Sequence, residues 1–332
     1  MIKRMLKTSA QHLAATVGRQ RWPGGKPRLW VLMYHRVLPA SDPRFAEEEP
    51  GMVVTPETFR LHLQIAAECF ELMPLSAWLQ RREAGQTLPG KACAITFDDG
   101  WRDNYEFALP VLRETQTPAT LFAVAEMIGT NRQFWPNRIA TLLTRHRRAL
   151  LERPDADWLA DALRRHAEQS EREQLAAVIA ACKAMGDEEI EHRLDRLEQA
   201  LPSFAAPAPA LADWQQLREM ASTGLVEIGS HTSNHRRLLP TLDAATLSHE
   251  IVASKSTLEN NLDAPVELFC YPNGDVSPGA LQLVREHYRL AVTTRRGINH
   301  AATPAHELQR IGMHEDATRT RTSTLARLSG LL

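Results

Sequence analysis

The chain has 332 residues, with 39 Lys and Arg against 40 Asp and Glu, a formal net charge of −1. Hydrophobic residues make up 43% and charged residues 24%, the mix of a folded globular chain, which excludes a disordered or collagen-like polymer. The near-neutral balance argues against a dedicated nucleic-acid binder, and no apolar run is long enough to cross a bilayer.

Residues 1–27 form a basic N-terminal segment. Seven Lys or Arg fall within residues 1–28, and the first acid is Asp42. The segment lacks the apolar core and cleavage site of a signal peptide, which points to a cytoplasmic protein, with the inner face of the membrane within reach. Met5, Leu6, Leu13 and Val17 would make a thin apolar stripe on a basic helix. One reading is weak contact with an anionic membrane surface; the other is a terminal helix packed on the body.

Short apolar runs at 29–34, 92–97, 119–124, 226–229, 266–271 and 290–294 read as buried strands. Thr55-Pro56-Glu57 places an N-cap and then Pro at the first helical position, opening a helix to residue 70. Residues 104–114, 243–261 and 277–287 also carry helical spacing. Continuous apolar strands alternating with helices imply a parallel sheet covered by helices, either a barrel or an open doubly wound sheet. Residues 132–212 break the alternation. They hold one glycine, Gly186, and are dense in Ala, Leu, Glu and Arg. They read as a helical insertion with solvated charged faces, ending in a Pro/Ala linker at 202–210. The four cysteines, Cys69, Cys93, Cys182 and Cys270, form no C-x-x-C pair and read as buried free thiols of a reducing compartment.

Three segments carry chemistry. Thr96-Phe97-Asp98-Asp99-Gly100 follows an apolar strand directly. Two adjacent carboxylates repel unless a cation or separate environments relieve them, and sites in α/β folds cluster at the carboxyl ends of strands. A surface turn would explain Asp-Asp-Gly alone. His231-Thr232-Ser233-Asn234-His235 also follows an apolar strand. Two imidazoles four residues apart, with a distant carboxylate, suit Zn²⁺ or a similar divalent metal with positions left open. His35 closes the apolar strand ending at Tyr34, a place suited to an acid or base.

Together these segments resemble the polysaccharide deacetylase family, carbohydrate esterase family 4, over roughly residues 28–130 and 213–316. The resemblance implies a distorted (β/α) barrel, formed by 28–131 and 213–316, with the helical insertion 132–212 between and a C-terminal tail at 317–332. It implies metal-dependent removal of N-acetyl groups from amino sugars of a polysaccharide or a lipid-linked oligosaccharide. Asp98 would be the general base, and Asp99, His231 and His235 the ligands of one divalent ion, Zn²⁺ before Co²⁺ or Ni²⁺. Where many members carry R-x-P-Y-G, this chain has Cys270-Tyr271-Pro272-Asn273-Gly274. The arginine that steadies the base is thus Cys270, and Arg310 is the candidate substitute. The backbone N–H near Asn273 is a candidate oxyanion donor. The family's last motif, an apolar strand ending in L-x-H, resembles the N-terminal segment through His35. That places the chain beside the exopolysaccharide deacetylases with permuted motif order and makes His35 the general acid, with His314 its rival. Tyr34, Trp101, Trp135 and Tyr271 are candidate platforms for sugar rings. The partner expected is an N-acetylated carbohydrate, with no nucleic acid. Two other readings stand: an amidohydrolase on another amide, such as a formylated lipid-linked sugar, and an inactive carbohydrate-binding relative.

Overall fold

The computed structural model describes residues 2–21, 25–202 and 210–331, the side chains of 2–9 excepted. Met5 and Leu6 of the expected stripe and residues 203–209 of the expected linker lie outside the described residues.

Seven strands run parallel and close into a barrel: β1 (Arg28–Tyr34), β2 (Lys91–Phe97), β3 (Ala119–Ala123), β4 (Val226–Ser230), β5 (Leu268–Cys270), β6 (Leu290–Arg296) and β7 (Leu308–Gly312). β1 closes the ring. It pairs along its whole length with β2, from Arg28↔Lys91 to Tyr34↔Phe97, and on its other side with β7. The period of two sorts its side chains. Leu29 and Val31 join Ala92, Ala94, Val292 and Leu308 in one cluster, while Trp30, Leu32 and Tyr34 face the surrounding helices. The interior cluster is plugged by Leu75, Trp78 and Leu79 of the helix Leu75–Glu83. β7 is absent from the strands expected of the sequence. Gln309 and Arg310 interrupt its apolar pattern, although Arg310 is buried.

Among the described residues, the α-helices of seven residues or more are α1 (Ile2–Val17), α2 (Pro56–Cys69), α3 (Leu75–Glu83), α4 (Leu109–Thr115), α5 (Trp135–Glu152), α6 (Asp157–Arg165), α7 (Glu171–Cys182), α8 (Asp187–Ala200), α9 (Trp214–Ser222), α10 (Ser254–Leu262), α11 (Pro278–His287) and α12 (Arg321–Leu328). Thr55 caps α2, its hydroxyl accepting from the Thr58 N–H, with Pro56 at the first helical position as the sequence suggests. The helices expected at 104–114 and 243–261 each contain a π-helical turn, Asn104–Ala108 and His249–Ala253.

α5 to α8 lie between β3 and β4 in the chain and bury their own cluster, with Ile139, Leu159, Leu163, Val178, Ile190 and Leu194 at its centre. Residues 317–332, expected as a tail, instead contain α12. Leu325 and Leu328 of α12 join the main core, and the Trp30 indole donates to the Leu328 carbonyl at 2.9 Å. α1 packs beside α12 through Ala14 and Ala15, with Leu13 and Val17 exposed. The chain after α1 runs under the amino ends of the strands, where Lys91 Nζ donates to the Gln20 carbonyl. No helix of the described residues is long and apolar enough to cross a membrane. All four cysteines are free thiols. Cys93, Cys182 and Cys270 are buried and Cys69 is half-buried.

Candidate active site

The three chemical segments meet at the carboxyl ends of β1, β2 and β4. Strand register sets the first contact. Tyr34 pairs with Phe97, so His35 and Asp98 leave adjacent strands together, and His35 Nε2 lies 3.8 Å from Asp98 Oδ2. His35 is anchored by its carbonyl, which accepts from Asn104 Nδ2 at 2.8 Å. His314 makes no such approach to Asp98. It opens the short helix Glu315–Thr318, and its Nδ1 lies 3.8 Å from Asp316 Oδ2.

Asp98 is buried and gripped from across the barrel by Arg310, with Nη1–Oδ1 and Nη2–Oδ2 both 2.7 Å. Arg310 shares its side of β7 with Leu308, so its side chain enters the interior. There it also donates to Thr96 Oγ1, the Thr293 carbonyl and Cys270 Sγ. Burial alone would push the Asp98 carboxyl up; the Arg310 guanidinium outweighs it and holds the group below the usual carboxylate range. The thiol at the arginine position of the family motif thus sits against an arginine supplied by another strand.

Asp99 faces the histidine pair. Its Oδ1 is 3.4 Å from His231 Nε2 and 3.4 Å from His235 Nε2. His231 Nδ1 lies 2.8 Å from the Cys270 carbonyl. A carbonyl only accepts, so Nδ1 carries a proton and Nε2 is the nitrogen that faces Asp99. Burial pushes this imidazole down, but Cys270 and Asp99 outweigh it and hold His231 above its ordinary value, so a metal at Nε2 would displace a proton. Burial against Phe134 and His231 pushes His235 down to about 4, against the pull of Asp99, and the imidazole is neutral at neutral pH. Asp99, Thr232 and His235 all have positive φ, at 76°, 69° and 60°. Such backbone is unfavourable for residues other than glycine and collects at functional sites.

Among the described residues, two groups bring metal-type ligand atoms together: Asp99–His231–His235 and Asp98–His231–Cys270. The second is a poor fit for a cation. Both Asp98 oxygens are taken by Arg310, which also donates to Cys270, and a metal there would meet a guanidinium. The first fits a divalent ion: the Nε2 atoms of two imidazoles and a carboxylate oxygen converge, and the Cys270 carbonyl orients one ring from outside.

The aromatic expectations need correction. Tyr34 is enclosed by Phe59, Phe97 and His62, and Tyr271 packs on Phe269; neither ring reaches solvent. Both follow the period of the strand into the helix-facing core, which a lone aromatic next to a motif does not reveal. Trp135 belongs to the insertion's core. Trp101 is 3% exposed, with Arg36 over its ring at 4.2 Å and Phe134 against it edge to face. Arg310 binds Asp98 rather than facing substrate. Asn273 is exposed in the turn after β5 with φ 56°. Gly274 follows it at φ 77°, and a Cβ there would fall 2.1 Å from Thr294 Oγ1.

Sequence reasoning missed two supports. Arg36, next to His35, forms buried ion pairs with Asp103 at 2.9 Å and Glu48 at 2.8 Å. Arg237, two residues past His235, is bound entirely by the insertion. Its backbone N–H and Nε donate to Asp187 at 2.7 Å each, Nη1 to the Lys183 carbonyl at 2.8 Å and Nη2 to the Met185 carbonyl. Adjacency to a motif histidine was the one available signal for either.

A cavity of about 240 Å³ borders His235, lined in part by Phe134, Asn234 and Arg236 and by Asp187 and Glu191 of α8. The insertion therefore forms one wall beside the metal-type cluster.

The chain is 31% identical over 105 residues to YxkH of Bacillus subtilis (strain 168), assigned by name to the polysaccharide deacetylases; the match covers 31% of this chain and 34% of that protein, about a third of each. In fold it is similar to the Streptococcus pyogenes deacetylase PplD, solved in complex with acetate, with a TM-score of 0.58, 20% identity and 89% and 96% of the two chains covered. It is equally similar to IcaB from Ammonifex degensii, with a TM-score of 0.58, 20% identity and 92% and 98% covered. A family model described as polysaccharide deacetylase matches residues 85–290, from just before β2 to the start of β6. That span is well over half of the chain and carries both the aspartate pair and the histidine pair: the chain belongs to the polysaccharide deacetylase family.

Proposed function

We propose that the protein hydrolyses the N-acetyl group of amino sugars in a polysaccharide or related carbohydrate, with Asp98 as base and His35 as acid. The observation that carries this reading is the pairing of a buried carboxylate kept ionised by Arg310 with His35 3.8 Å away, beside a cluster that fits a metal. Asp99, His231 and His235 would hold a divalent ion, Zn²⁺ first, which supplies Lewis acidity to the acetyl carbonyl and to a water. Asp98 takes the proton of the attacking water. Arg310 keeps Asp98 deprotonated between turnovers and fixes the plane of its carboxylate. His35 gives a proton to the sugar nitrogen as the C–N bond breaks, releasing acetate and a free amine. A backbone N–H near Asn273 would share the developing oxyanion charge.

The test is acetate release from an N-acetylglucosamine oligomer, with and without chelator. Release should stop with chelator and return with added metal. Asp98→Asn should lose about 10²–10⁴-fold in rate while keeping metal, whereas His231→Ala and His235→Ala should lose the metal too. Release indifferent to chelator, or a wild-type rate in Asp98→Asn, overturns the scheme.

A further inference from the structure

Trp101 follows the aspartate pair and was expected as a sugar platform, yet its side chain is buried against Arg36 and Phe134. Arg36 lies over it at 4.2 Å and Phe134 meets it edge to face at 5.3 Å. What the indole does offer is its N–H. Nε1 donates to Asp99 Oδ2 at 2.8 Å, the oxygen that does not face the histidines. The other oxygen, Oδ1, is the one 3.4 Å from both His231 Nε2 and His235 Nε2.

We propose that Trp101 sets the denticity of Asp99. By occupying Oδ2 it leaves a single carboxylate oxygen for a metal and so keeps open a coordination position that substrate or water needs. The proposal rests on the reading of Asp99, His231 and His235 as ligands. An unrestrained carboxylate binds divalent ions through one or two oxygens, and a hydrogen bond from a fixed donor removes the choice. An indole suits the task because it donates only and cannot itself become a ligand.

The donor is held from several directions. Arg36, the residue stacked on it, is anchored by Asp103 and Glu48. Phe134 bridges Trp101 and His235, with its ring 4.8 Å from that imidazole. The backbone on either side is tied to the segment entering α9, Ala212 N–H to the Gly100 carbonyl and Arg102 N–H to the Ala210 carbonyl, both at 2.9 Å. A side chain fixed by cation, ring and backbone together is a positioning residue with little freedom to move as the metal arrives.

Trp101→Phe tests this. It keeps a ring for Arg36 and Phe134 and removes only the N–H. Metal-free wild-type and variant proteins are titrated with Co²⁺ and the visible ligand-field bands recorded, since their intensity falls as coordination number rises. The variant should give weaker bands and bind Co²⁺ about tenfold less tightly. Identical bands and affinity would overturn the proposal while leaving the metal reading intact. A wild-type protein that takes up no Co²⁺ would overturn the metal reading itself, and this proposal with it. A readout independent of the variant's folding is hydrogen exchange of the Trp101 indole in ¹⁵N-labelled, metal-loaded wild-type protein. Slow exchange is expected; exchange as fast as a free indole would also overturn it.

Discussion

The barrel mouth and the helical insertion use charge in opposite ways. At the mouth, charged groups are removed from water and matched by opposite charge: Asp98 with Arg310, and Arg36 with Asp103 and Glu48. On the insertion the ions stay wet. Arg148 and Glu152 pair one helical turn apart with 93% and 65% of their side chains exposed, and Arg164 meets Asp161 in the same manner. Buried pairs are costly to assemble and more costly to break, so a fold keeps them where orientation matters. Exposed pairs contribute little. The insertion makes one exception, the Asp187–Arg237 pair, and it makes it where it touches the loop bearing His235.

Substitutions can sharpen this contrast. The largest effect is expected for Arg310→Met, which leaves Asp98 buried without its countercharge. The carboxyl would then protonate and cease to be a base. Stability should fall by about 3–5 kcal/mol in urea unfolding and acetate release should collapse, with metal content intact. Unchanged activity would show that the pair is structural only. Arg237→Met removes the side-chain part of the insertion's grip on the histidine loop and leaves Asp187 only the backbone N–H of residue 237; a loss of about 1–3 kcal/mol is expected, together with weaker metal retention. Full metal affinity in this variant would confine the insertion to a structural role.

A smaller, pH-dependent effect belongs to His62 on α2. It is buried between the Tyr34 hydroxyl at 3.2 Å and the Thr318 carbonyl at 2.7 Å, and burial pushes it down to about 4 from an ordinary 6.5. The unfolded chain therefore binds this proton first as pH falls, so the His62 contribution is complete above about 6.5 and is lost towards 4. His62→Gln should flatten that part of the stability profile, and equal slopes for both proteins between pH 7 and 5 would contradict it. The smallest effect is expected on the insertion's surface. Arg148→Ala should stay within about 0.5 kcal/mol of wild type, and a larger loss would mean that these exposed ions support more than their own helix.

The parts of the site carried by local pattern were legible. β1, β2 and β4 announce themselves as apolar runs, each ending in a chemical residue, and a parallel barrel brings such ends together. His35 reaches Asp98 because β1 lies against β2, so a motif at the start of the chain joins one found later. What stayed hidden depends on partners distant in sequence. β7 escaped notice because its central side chain is an arginine, and an arginine reads as surface until the carboxylate opposite it is seen. The loss of the motif arginine at Cys270 did point to Arg310, but not to the strand that carries it. Trp101 was misjudged for a related reason. An aromatic beside a glycine looks like an open platform, and only Arg36 and Phe134, brought in by other loops, bury it. Tyr34 and Tyr271 were lost to the alternation of strand faces.

The Arg237 side chain ties the loop that carries His235 to the carbonyls of Lys183 and Met185. Coupling through such a link runs both ways. Anything that orders His235 also orders the start of α8, and anything that frays α8 loosens His235. Occupancy at the barrel mouth should therefore be readable at a distance, as slower protease cleavage of the 183–187 turn, and a ligand bound to the insertion would tune the reaction without touching the sugar.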